Sequence, residues 1–136
     1  MLIVKGYPPN HSAIVDALHP AGNFIFTYGH TIYSPTTDQL EEDIIEHERE
    51  HEQQQTRIDE KFGPRKWWDR YLIDGNFRFN QELEAYRRQW DYIEHYEPDR
   101  NKRHAKVVEM AKFLSSASYG NLVTFSEAMA KIKGES

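Results

Sequence analysis

Apolar residues fall in short runs at the start of this chain and at helical spacing later. Leu2-Ile3-Val4 is a run of three ended by Pro8-Pro9 and reads as a short buried strand. Asn10 can cap a short helix over 11–19, with Ile14, Val15 and Leu18 on one face. Pro20-Ala21-Gly22 is a break. The aromatic and β-branched segment Asn23-Phe24-Ile25-Phe26-Thr27-Tyr28 predicts a second strand, Gly29-His30 a turn, and Thr31-Ile32-Tyr33 a third strand. Strand, helix and strand in so few residues allow a right-handed β-α-β unit with a hairpin after it.

The period then changes. Pro35-Thr36-Thr37-Asp38 is a helix start, with Glu41 placed to complete a capping box. The helix runs to about Asp59, and its inward stripe is Leu40, Ile44, His47 with Glu48, His51, Gln55 and Ile58. Gly63-Pro64 breaks the chain, and 66–72 reads as a short apolar helix in which Trp67-Trp68 is packing. Asp74-Gly75-Asn76 is a turn before a long helix over 77–95 with a stripe of Phe79, Leu83, Tyr86, Trp90 and Ile93. Asp99 can cap a helix through Leu114, 115–121 is a loop, and Thr124 with Glu127 forms a capping box for a last helix. A small sheet of about three strands followed by helices is an α+β fold. No repeat or linker divides the 136 residues, so one domain spans 1–136.

The inward stripe of the helix over 38–59 carries the chemistry. His47-Glu48-Arg49-Glu50-His51 is an H-E-x-x-H sequence. Two imidazoles four residues apart stand one turn apart on one helix face, so both can reach one ion. Glu48 projects beside that face, where a carboxylate can take a proton from water; this is the zinc metallopeptidase arrangement. An acidic, solvated helix matching by accident is the bland explanation. It fits poorly with two His and a Glu on the inward side, where polar groups need partners. The chain has no Cys, so any metal must be held by His, Asp and Glu.

A catalytic zinc site usually has three protein ligands and one open position. His30, His95, His104, Asp74, Glu82 and Glu84 are the candidates for the third. With Phe79 as origin, Glu82 lies about 60° away at the edge of the buried stripe, and Glu84 about 140° away towards solvent. A carboxylate at the edge of an aromatic stripe is costly unless neutralised. A zinc ion would do this. Pairing with Arg78, Arg87 or Arg88 is the competing explanation.

His47-Glu48-Arg49-Glu50-His51 followed by Glu82-Leu83-Glu84-Ala85-Tyr86 resembles the gluzincin type of zincin metallopeptidase. The resemblance implies a zincin-like fold with His47, His51 and Glu82 as zinc ligands and Glu48 as general base. The wider pattern, in 27–35, 67–72 and 115–121, resembles small, often phage-encoded, H-E-x-x-H proteins. Arg49 and Glu50 stand where zincin helices usually carry uncharged residues. Tyr86 stands where many gluzincins place an Asp that orients a His ligand.

Peptide hydrolysis by zinc-activated water is therefore the expected activity. An extended peptide could pair with an edge strand, either 24–28 or 31–33. Tyr119, Tyr71, His30 and the Arg residues are candidate donors to the oxyanion, with Tyr119 singled out. The alternative is a non-catalytic zinc-binding interaction module, such as a phage structural or assembly protein. A net charge of −5 speaks against nucleic acid as partner, and the basic segment 100–106 reads as a solvated helix face. The only apolar run near the N-terminus is too short for a signal peptide or membrane span, so a soluble cytoplasmic protein is expected.

Overall fold

The sheet is built by a tight hairpin. In the computed structural model, which describes residues 1–135, β1 (Leu2–Lys5), α1 (His11–Leu18), β2 (Phe26–Tyr28) and β3 (Thr31–Ser34) come first. β2 and β3 are antiparallel, with Tyr28 opposite Thr31, and Gly29-His30 forms the two-residue turn. Gly29 has φ 62°, the left-handed conformation that the first central residue of a type II′ turn requires.

β1 runs parallel to β3, from Leu2 opposite Thr31 to Lys5 opposite Ser34, so the strand order is β1-β3-β2. The expected β-α-β unit is therefore absent, because β1 runs parallel and β2 antiparallel to β3, so the strands before and after α1 run in opposite directions. The hairpin occupies one side of β3 and leaves β1 only the other. β3 is thus central and cannot be an edge for a peptide.

In α1 only Ile14 is fully buried, against Trp67, Trp68 and Tyr71, while Val15 is exposed. Asn10 holds the N-cap position without making a side-chain cap bond.

α2 (Glu42–Ile58) starts later than the sequence suggests. Its N-cap is Glu41, extended and without a side-chain cap, and the Thr37 hydroxyl is spent on the Gln39 N–H. Leu40 precedes the helix, and Ile58, at its end, is 47% exposed. The buried face is Asp43, His47, Glu48, His51, Gln54 and Gln55, without one apolar residue. The helical period holds, but the apolar ends of the expected stripe lie outside the covered part of the helix.

Gly63-Pro64 opens α3 (Gly63–Ile73) instead of breaking the chain. Proline in a first turn forfeits no helical hydrogen bond. Glycine allows α3 to start against the backbone of α2, because a Cβ at 63 would overlap the Gln55 carbonyl oxygen.

α4 (Gly75–Tyr96) is capped by the Asp74 carboxylate, which accepts from the Phe77 N–H at 3.0 Å. Its stripe of Phe79, Leu83, Tyr86, Trp90 and Ile93 is buried as expected. It packs on Val107, Met110, Ala111 and Leu114 of α5 (Arg100–Leu114) and on Ala128 and Ile132 of α6 (Phe125–Lys133). Asp99 caps α5, and Thr124 with Glu127 forms the expected capping box on α6. The loop between them includes a 3-10 turn, Ala117–Tyr119.

The two apolar clusters, one around α4, α5 and α6 and one under the sheet, flank the polar face of α2. Among the described residues, no helix is long and apolar enough to cross a membrane.

Gly63→Ala forces α3 away from α2 and should cost about 1–3 kcal/mol, the usual range for overpacking. Gly75→Ala, whose Cβ would meet only Arg78 Nη1 at 3.9 Å, should change stability by less than about 0.5 kcal/mol. Urea midpoints of the two variants test the difference, and equal midpoints would contradict the close approach.

Candidate metal centre

α2 and α4 pack along their length, which sets the Glu82 carboxylate of α4 over the two imidazoles of α2. One ligand atom from each of His47, His51 and Glu82 lies within 4.8 Å of the others, and all three residues are buried. His51 Nε2 is 2.9 Å from Glu82 Oε2, and His47 Nε2 is 3.3 Å from Glu82 Oε1. This group can hold a metal ion.

The hydrogen bonds behind the imidazoles test that fit. Gln54 Nε2 donates to the Gln81 carbonyl at 2.9 Å and to Glu84 at 3.2 Å. Gln89 Nε2 donates to Asp43 Oδ2 at 2.9 Å. Both amides are therefore oriented by acceptors, and each turns its Oε1 to a histidine. Gln89 Oε1 lies 3.0 Å from His47 Nδ1, and Gln54 Oε1 lies 2.8 Å from His51 Nδ1. A carbonyl oxygen can only accept, so both Nδ1 atoms carry the proton. In the neutral rings both lone pairs then sit on Nε2, facing Glu82, as metal-ligating imidazoles require.

The charges are consistent with this. Burial would raise the Glu82 pKa, but the His51 and His47 imidazoles outweigh it and hold the carboxylate well below its usual range. Burial would lower the His51 pKa, but Glu82 outweighs it and brings it up to about 9. Without a cation the cluster is thus a buried ion pair, and a divalent ion would displace its proton.

Glu48 lies beside the group. One oxygen accepts from Thr27 Oγ1 at 2.9 Å, and the other lies 3.7 Å from His47 Nε2. Burial raises its pKa, against the pull of the two imidazoles. Tyr71 donates to Glu82 Oε2 at 3.3 Å. Tyr86 and Tyr119 line the same cavity. Burial, and then the Glu82 charge, pushes all three phenols upward, so they remain neutral donors.

A cavity of about 870 Å³ opens onto the group. Glu48, Tyr71 and Tyr119 line it with His47, His51 and Glu82, and Phe24, Ile25, Met110 and Phe113 supply apolar wall. At the edge of the sheet, the Thr27 carbonyl is already taken by Gln55 Nε2 at 2.8 Å and Trp68 Nε1 at 2.9 Å. The Ile25 backbone N–H and C=O, next along that edge, have no partner among the described residues.

The other candidates lie elsewhere. His30 is exposed and bridges Glu52 and Glu60 at 2.8 Å each. Asp74 is occupied as the cap of α4, and His95 and His104 are exposed. Glu84 faces solvent and supports Gln54 from behind. None of the three arginines pairs with Glu82: Arg78 donates to the Tyr71 and Leu72 carbonyls, Arg87 to the Lys131 carbonyl, and Arg88 to Glu46.

Arg49 and Glu50 fit an inward-facing motif, because they point away from it, Arg49 to Glu46 and Glu50 to Arg57 and Arg88. Tyr86 packs its ring on His47 with centroids 4.6 Å apart, while Gln89 does the orienting. The sequence reading missed Asp43, Gln54, Gln89 and Thr27. The first three stand at helical spacing from the ligands, at −4 from His47, +3 from His51 and +7 from Glu82, which was the available signal. Comparison with protein-family models, curated proteins and solved structures returns no match.

The purified protein should carry one divalent transition metal per chain. His51→Ala and Glu82→Gln should lose it, and Glu84→Gln should keep it, because Gln54 still has the Gln81 carbonyl. Gln89→Leu should weaken affinity by about 10–100-fold. Elemental analysis and chelator competition measure this, and a protein that takes up no stoichiometric metal would refute the centre.

Proposed function

We propose that this chain is a zinc-dependent peptidase in which His47, His51 and Glu82 hold the metal and Glu48 is the general base. The observation that carries this reading is the convergence of two tautomer-fixed imidazoles, a buried carboxylate and a second carboxylate on one cavity. Bound zinc would supply a Lewis acid and bring the pKa of a water towards about 7.

The remaining chemistry belongs to the protein. Thr27 anchors one oxygen of Glu48, which leaves the other to accept the proton of the attacking water and pass it to the leaving amine. Tyr71 orients Glu82, and Tyr119 donates a hydrogen bond to the developing oxyanion. An extended peptide pairs with the free Ile25 N–H and C=O at the open end of β2, and its side chains lie along the apolar wall. The Thr27 carbonyl is already used, so pairing stops there.

Elemental analysis discriminates the metal. Two histidines and one carboxylate also suit non-haem iron, so stoichiometric iron in place of zinc would overturn the hydrolytic reading. The activity test is cleavage of a diverse peptide library by the zinc form. Glu48→Gln should retain zinc and fold but lose cleavage by about a hundredfold or more. Full activity in Glu48→Gln would remove its role as base, and loss of zinc would make it a ligand. If the zinc form cleaves no peptide, a non-catalytic zinc-binding module is the better description.

A further inference from the structure

The hydrogen bonds behind His47 continue beyond Gln89. Gln89 Nε2 is held by Asp43 Oδ2, and the same oxygen lies 3.3 Å from Lys106 Nζ of α5. Lys106 also reaches Glu41, at the start of α2, at 2.9 Å. Asp43 is buried, with 5% of its surface exposed, and Lys106 is its one cationic partner among the described residues. His51 differs in this respect, because its partner Gln54 is held by the Gln81 carbonyl and Glu84, without a lysine.

We infer that Lys106 is a positioning residue of the metal centre, acting on His47 through Asp43 and Gln89. The inference rests on the proposed metal site, but its first link can be observed without metal. The ammonium fixes Asp43 as a carboxylate acceptor, Asp43 fixes the Gln89 amide with its oxygen towards His47, and that oxygen keeps the His47 proton on Nδ1. Without the ammonium, Asp43 is a buried anion with no counter-charge, the least stable arrangement such a group can have. Once Lys106 no longer holds it, the Asp43 side chain leaves Gln89 Nε2, and the amide, without its orienting acceptor, turns over. Its NH₂ then faces Nδ1 and drives the imidazole proton to Nε2, where it blocks the ligand position. α5 thus takes part in metal binding although it contributes no ligand.

The test compares wild type with Lys106→Met, Lys106→Arg and Lys102→Met, the last removing an exposed charge from the same helix. The imidazole Nδ1–H resonances of His47 and His51 are recorded by ¹⁵N NMR on metal-free protein, and zinc affinity is measured by chelator competition. Lys106→Met should speed exchange of the His47 Nδ1–H, leave the His51 signal unchanged, and weaken zinc binding by about tenfold. Lys106→Arg should restore both, and Lys102→Met should change neither. Two outcomes would overturn the relay: a His47 Nδ1–H as protected in Lys106→Met as in wild type, or equal loss at His47 and His51, which would mark general loosening. Wild-type protein with the protected His47 signal but no zinc affinity would instead refute the metal site and leave the relay standing.

Discussion

The Glu82 carboxylate is held almost out of water between two imidazoles, and the surrounding structure answers to that. A buried carboxylate is tolerated only when its charge is compensated and its lone pairs are occupied. His51, His47 and Tyr71 meet this need from two different helices. α2 must therefore turn a polar face inward, and every group on that face then needs a partner of its own. Thr27 serves Glu48, Gln54 serves His51, and Gln89 with Asp43 serves His47. The apolar packing is displaced to both sides, into the cluster around α4, α5 and α6 and the cluster of α1 and α3 under the sheet.

This division explains the fold's economy. α2 gains little from apolar burial, so its place is fixed by hydrogen bonds and by the close backbone approach at Gly63. Those restraints are directional, and they define side-chain geometry more sharply than a hydrophobic stripe would. A catalytic or metal-binding group benefits from that sharpness, since misplacement by a fraction of an ångström weakens either task.

Much of the centre was legible in the sequence because helical phase is a local property. The spacing of His47 and His51 and the phase of Glu82 against Phe79 follow from 3.6 residues per turn. The caps at Asp99 and Thr124 could be read for the same reason, whereas Asp74, read as part of a turn, caps α4. What escaped depends on contacts distant in sequence. No local pattern says that β1 joins the far side of β3, or that His30 turns to Glu52 and Glu60 and not towards the cavity. Gln54, Gln89 and Asp43 lay on the right stripes, but an amide or acid there becomes informative only once its partner across the helix interface is known. The start of α2 was misplaced because Thr37 turns its hydroxyl to Gln39. Gly63-Pro64 looks like an interruption in sequence because its role lies in the approach to Gln55, on another helix.

Thr27 ties β2 to two helices through one residue: its hydroxyl holds Glu48 of α2, and its carbonyl takes Gln55 of α2 and Trp68 of α3. The outer rim of β2 is thereby stoppered where a second copy of the chain could otherwise dock strand to strand. Open sheet rims are the usual starting points of fibrillar self-association, and natural proteins cover them with side chains or neighbouring elements. Here the cover is made by the same residue that steadies the carboxylate. Loosening Thr27 would therefore unsettle the chemistry of the cleft and expose a sticky rim in the same event, so colloidal behaviour and the order of the site are tied together at one position.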